Sequence, residues 1–129
     1  MPLIRIAVAK GTTAEVKQAV SNAVHTSLVE AFNVPELDKF QIITEHGADD
    51  LVCTPEYLGI KHTANVAMIQ ITANEGRTTD LKKALYHAIA TRIAASTNIL
   101  ASDVIINLLE VKKENWSFGN GLAQYAPAE

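Results

Sequence analysis

A chain whose only cysteine is Cys53 has no intrachain disulfide and no cysteine-based metal cluster of its own, so a small buried thiol is the expected role. Long apolar runs are missing too. None approaches the roughly 20 residues that a membrane span requires, and the first residues lack the charged, apolar and small-residue sections of a signal peptide. The expected residence is cytoplasmic, with no membrane partner. Aromatic residues amount to 5%, they are not interleaved with Lys or Arg, and the formal net charge is −3. That leaves no electrostatic footprint for nucleic acid, which is not expected as a partner. His25, His46, His62 and His87 fall at no short ligand spacing, so neither a metal nor another cofactor is expected.

What the chain does have is apolar residues, 48% of its 129 positions, enough for one sizeable core. A single globular domain over 1–129 follows. Sliding the sequence by 65 residues aligns its halves without a gap. Ile4 falls on Ile69, Ile6 on Ile71, Gly11 on Gly76, Thr13 on Thr78, Lys17 on Lys82, Asp38 on Asp103 and Glu45 on Glu110. The repeats run over 2–46 and 67–111, with a connector at 46–62 and a tail at 112–129.

Each repeat predicts a strand, a long helix and a second strand. Ile4, Ile6 and Val8 alternate in the first, and Val66, Met68 and Ile69 to Ile71 open the second. Thr13 and Thr78 are candidate N-caps. Behind them Val16, Ala19, Val20, Ala23, Val24, Leu28 and Ala31, then Leu81, Ala84, Leu85, Ala88, Ile89 and Ile93, recur at helical spacing. The helices should stop near Asn33 and Asn98, with strands at Phe40 to Thr44 and Val104 to Val111. A strand, helix, strand order favours parallel pairing through a crossover. The predicted fold class is α/β (α+β): a four-stranded, mainly parallel sheet with two helices on one face. Its other face is left bare, and cover from identical subunits is the simplest remedy.

An N-terminal Met-Pro, a doubled β-α-β unit and a bare sheet face together resemble the tautomerase superfamily, whose members use an amino-terminal proline. Within it, Phe32-Asn33-Val34-Pro35-Glu36-Leu37-Asp38-Lys39-Phe40-Gln41 and Trp116-Ser117-Phe118-Gly119-Asn120-Gly121 look like the malonate semialdehyde decarboxylases and their relatives. The resemblance implies a cofactor-independent decarboxylase (a lyase) or tautomerase (an isomerase) acting on a small oxo acid, assembled as a homotrimer. It implies that Pro2 is the catalytic amine and Asp38 its partner carboxylate. It also implies that Arg77 holds a substrate carboxylate and that Trp116 and Phe118 wall the pocket. One position departs: the decarboxylases carry a second arginine two residues before the one matched by Arg77, and this chain has Glu75 there. A carboxylate cannot replace a guanidinium in clamping an anion, which leaves decarboxylation and keto-enol tautomerisation both open.

The residue types suit such chemistry. Removal of Met1 would turn the Pro2 nitrogen from an amide into a secondary amine; a terminal amine titrates near pH 7.7–8.0 in the generic case. Neutral, it can abstract a proton beside a carbonyl or add to that carbonyl. Cationic, it can polarise a carbonyl oxygen. Structural roles are open at the same positions. Proline is common at a strand's first residue. Aspartate between helix and strand often caps local amides, as Asp103 would. Arg77 could be a solvated arginine beside Glu75 or Asp80, Arg5 an interface ion pair or a weaker anion contact, and Lys112-Lys113-Glu114 a charged turn. A non-catalytic oligomeric binding module is the remaining alternative.

Overall fold

The computed structural model describes residues 2–127; Met1, whose removal would free the Pro2 amine, lies outside the described residues. Strand β1 (Leu3–Ala9) leads into helix α1 (Ala14–Phe32) and strand β2 (Gln41–His46). A short hairpin of β3 (Glu56–Tyr57) and β4 (Ile60–Lys61) follows. Strand β5 (Ala67–Asn74), helix α2 (Thr79–Ser96) and strand β6 (Val104–Val111) repeat the first unit. The sheet order is β2-β1-β5-β6, with β1/β2 and β5/β6 parallel and the central β1/β5 pair antiparallel.

Both helices start where their threonines dictate. Thr13 Oγ1 accepts the Val16 N–H at 3.2 Å and Thr78 Oγ1 accepts that of Leu81 at 3.3 Å, each satisfying a donor that the first turn leaves open. Asn33 ends α1 in the left-handed conformation, with φ 55°, and its N–H reaches back to the Leu28 carbonyl. The second helix ends at Thr97, one residue before the expected Asn98, because Thr97 N–H and Oγ1 both bond the Ile93 carbonyl.

The 65-residue offset reappears in the core. Buried Ile4, Ile6 and Val8 match buried Ile69, Ile71 and Ala73, and Val20, Val24 and Leu28 on α1 match Leu85, Ile89 and Ile93 on α2. These residues pack as one layer between the helices and the sheet. Leu81 and Ala84, expected on the buried stripe of α2, stand exposed; Leu81 instead lines the cavity described below. The opposite sheet face carries Arg5, Ala7, Ile42, Thr44, Met68, Gln70, Ile105 and Asn107 around an open hollow of about 440 Å³. Cys53 is not the buried thiol expected: it sits half-buried in the connector, with Sγ 3.5 Å from the Thr54 carbonyl. Among the described residues no helix is long and apolar enough to cross a membrane.

Candidate active site

The second repeat supplies the anchor. Gly76 takes φ 120°, a conformation that side chains disfavour, and so turns the chain from β5 into α2 and sets Arg77 at the corner. The Arg77 guanidinium then bridges the two halves. Nη1 donates to the Asn74 carbonyl at 3.0 Å, Nη2 donates to the Phe32 carbonyl at 3.2 Å, and the group lies 4.8 Å over the Phe32 ring. The first repeat makes the analogous local bond with Thr12, whose Oγ1 donates to the Ala9 carbonyl at 2.6 Å. Arg77 therefore has a structural seat, and its fork keeps donors beyond the two bound to carbonyls.

Asn74 is the hinge of the arrangement. Its carbonyl accepts from Arg77, and its Oδ1 accepts the Trp116 indole N–H at 2.7 Å. Trp116 stacks on Phe118 with 5.7 Å between ring centroids; Phe118 meets Tyr125 edge-on at 5.0 Å and Phe40 at 6.1 Å. Gln124 clasps this tail, accepting the Phe118 N–H at 3.0 Å and donating to the Gly119 carbonyl at 3.2 Å. The tail is thereby fastened to the end of β5 on one side and to the entry of β2 on the other.

That entry is also where β1 begins. Ile4 N–H donates to the Phe40 carbonyl at 3.0 Å and Ile4 pairs with Gln41. Extended backwards along the parallel ladder, this register carries buried Pro2 past Phe40 towards Asp38. Asp38 closes a turn with its N–H on the Pro35 carbonyl at 3.0 Å. Burial pushes its carboxyl above the ordinary range, against the opposing pull of the chain's positive amino terminus and of His25. His25 is itself buried. Its Nε2 lies 2.7 Å from the Glu36 carbonyl, which can only accept, so Nε2 carries the proton and fixes the tautomer.

Of the residues named from the sequence, Asp38 and Arg77 line one cavity of about 620 Å³, together with Pro35, Asn74, Glu75, Gly76, Leu81, Lys113 and Tyr125. Trp116 and Phe118 are joined to its wall through Asn74 and Tyr125. Pro2 is buried and is not among the lining residues. The sequence reading missed Phe32, Asn74, Lys113 and Tyr125. Asn74 left a trace, as a polar residue closing the buried alternation of Ile69, Ile71 and Ala73; Phe32 stood at the head of the Phe32–Gln41 segment and Lys113 in a charged turn, neither with a site role, and Tyr125 carried no site signal. Arg5 lies in the hollow on the far sheet face, away from this cavity.

Known proteins share this architecture. Two family profiles, each described as tautomerase enzyme, match residues 38–119 and 2–61. The probable tautomerase YusQ of Bacillus subtilis (strain 168) is 39% identical over 96% of this chain and 98% of its own. A crystal structure of FG41 malonate semialdehyde decarboxylase inhibited by 3-bromopropiolate superposes with a TM-score of 0.89 at 36% identity, covering 95% of this chain and 93% of that one. A fused 4-OT described as a wild-type symmetric trimer gives 0.77 at 27% identity, covering 95% and 97%. On the profile matches and the near full-length likeness to YusQ, the chain belongs to the tautomerase superfamily of enzymes.

Proposed function

We propose that this chain is a cofactor-independent enzyme acting on a small oxo acid, with the secondary amine of Pro2 as its acid, base or nucleophile once Met1 is removed. The observation that carries this is one cavity lined by both a fixed guanidinium, Arg77, and a half-buried carboxyl, Asp38, towards which the β1/β2 register carries Pro2, the residue just before β1. Arg77 anchors the substrate carboxylate. Trp116 and Phe118 keep water from the reacting carbon, and Asp38 stabilises the amine's cationic form. Likeness to FG41 malonate semialdehyde decarboxylase favours decarboxylation of a 3-oxo acid such as malonate semialdehyde. The cationic amine would polarise the carbonyl oxygen while the bond to the carboxylate breaks. Its electron pair passes into the enol, whose oxygen takes the amine's proton, and carbon dioxide leaves.

Keto-enol tautomerisation of a 2-oxo acid is the second reading, and Glu75 favours it. This carboxylate lines the cavity where the resembling decarboxylases have an arginine. Decarboxylation needs the leaving carboxylate held out of the carbonyl plane, whereas a proton shift demands less. The active assembly is a homotrimer in this reading, supported by the open sheet face and by the symmetric trimer of the fused 4-OT.

The test is to block removal of Met1. A chain that retains Met1 keeps every side chain but has an amide at Pro2, and it should be almost inactive while still folding. Pro2→Ala in the processed protein, which leaves a weaker primary amine, should lose about 10²–10⁴-fold in kcat. Equal turnover of malonate semialdehyde and phenylpyruvate by the Met1-retaining and processed forms would refute the amine mechanism.

A further inference from the structure

The cavity wall carries a second cation. Lys113 opens a 3₁₀ turn, Lys113–Asn115, just beyond the end of β6. Three bonds hold that turn in place. Glu75 N–H donates to the Val111 carbonyl at 2.9 Å, Asn115 N–H donates to the Lys112 carbonyl at 3.0 Å, and Trp116 is pinned to Asn74. Lys113 therefore stands on the same rim as Glu75 and Arg77 and lines the same cavity.

Its charge is not spent elsewhere. Lys17 and Lys82 are neutralised by Glu45 and Glu110, each at 2.6 Å, and Arg92 by Glu30 at 2.5 Å. Lys113 has no ion pair or side-chain hydrogen bond among the described residues. The wall thus sets Asp38 and Glu75 against Arg77 and Lys113. Beside Arg77, the Glu75 carboxylate repels an anionic substrate. Lys113 on the same wall offsets that repulsion.

We propose that Lys113 is the second cation of the substrate site, pairing with the substrate carboxylate together with Arg77 and offsetting Glu75; this rests on the oxo-acid reading above. An ammonium binds as a point charge from a flexible stem, so it holds the carboxylate without imposing the plane that a guanidinium fork does.

Lys113→Ala should raise KM about tenfold or more for the oxo acid turned over, with kcat changed much less and Tm unchanged. Lys113→Arg should restore KM. Glu75→Arg placed in the Lys113→Ala background should restore it too, since it returns a cation to the same rim. A merely structural lysine would give neither rescue. Pyruvate titrated against the fluorescence of Trp116, the only tryptophan, reads binding without turnover. Weaker pyruvate affinity in Lys113→Ala supports the proposal even where turnover fails. An unchanged KM and unchanged pyruvate affinity overturn it while leaving the oxo-acid reading intact. Absence of both turnover and pyruvate binding in the unsubstituted protein overturns both.

Discussion

At the residue scale the two repeats hold the same aspartate in opposite ways. Asp103 is fully buried, and Thr63 clasps it with its N–H on Oδ1 at 2.8 Å and its hydroxyl on Oδ2 at 2.5 Å. Its repeat partner Asp38 lines the cavity, and burial raises its pKa from 3.8. A raised carboxyl favours the fold below pH 3.8 and loses that contribution as pH rises through the folded value. At pH 7, then, the ionised Asp38 does not support the fold, and Asp38→Asn should leave Tm unchanged or higher while lowering turnover. Asp103→Ala should do the reverse. It removes the buried acceptor of two Thr63 hydrogen bonds, at a cost of about 1–3 kcal/mol for the pair, with little direct effect on chemistry. Thermal melts at pH 7 and pH 3 with parallel kinetics would decide it, and an equal loss of stability in both variants would contradict it. The sequence made both aspartates visible through the repeat, but it could not separate them. The difference lies in Thr63, 40 residues from Asp103, and in the cavity formed around Asp38.

Element by element, the doubled unit was legible because each local signal agrees with its neighbours: alternation in the strands, threonine caps, and apolar spacing in the helices. The hairpin β3–β4 was not. Its strands are two residues each, too short for periodicity, and its turn places Leu58 at φ 51° and Gly59 at φ 80°, where only the glycine is an ordinary signal. The antiparallel β1/β5 pairing also escaped, since strand order along the chain does not say which edges meet. A matched pair of ion pairs tests the repeat directly. Lys17 to Glu45 and Lys82 to Glu110 each tie a helix to the second strand of its unit, and the lysine hydrogen bond is the main cause that lowers each glutamate below 4.5. A lowered carboxyl stabilises the fold above its ordinary pKa and loses that contribution as pH falls through the folded value. Replacing both Lys17 and Lys82 by Ala should therefore lower Tm modestly at pH 6, with the gap closing towards pH 3 and shrinking in high salt. A gap independent of pH would assign the lysines to packing along their stems instead.

For the whole molecule, the sheet is the organising fact. Its inner face is sealed by Ile4, Ile6, Ile69 and Ile71 under two helices, so that core closes within one chain. Its outer face mixes Ala7, Ile42, Met68 and Ile105 with Arg5, Gln70 and Asn107, and Gln70 already donates to Asn107 at 3.2 Å across the strands. Tyr57 and Leu58 of the hairpin, 64% and 84% exposed, line a second hollow that shares Ile105 with this face, and Val52 of the connector is 79% exposed. Exposed apolar surface of this kind marks an interaction site, and a closed ring of identical subunits would cover it without leaving a free copy of the patch. The alternation of the strands showed that a second face existed, but not its extent, because the connector and hairpin that enlarge it carry no periodic signal. If three subunits cover this surface, sedimentation at low micromolar concentration should give three times the chain mass. Ile42→Glu, which sets a carboxylate on the outer face and leaves the inner core untouched, should give folded monomers with unchanged helix content. Turnover should fall with the loss of assembly if the site needs its neighbours. A stable, fully folded monomer of the unsubstituted chain, active at nanomolar concentration, would sink the trimer and show that one subunit's cavity suffices.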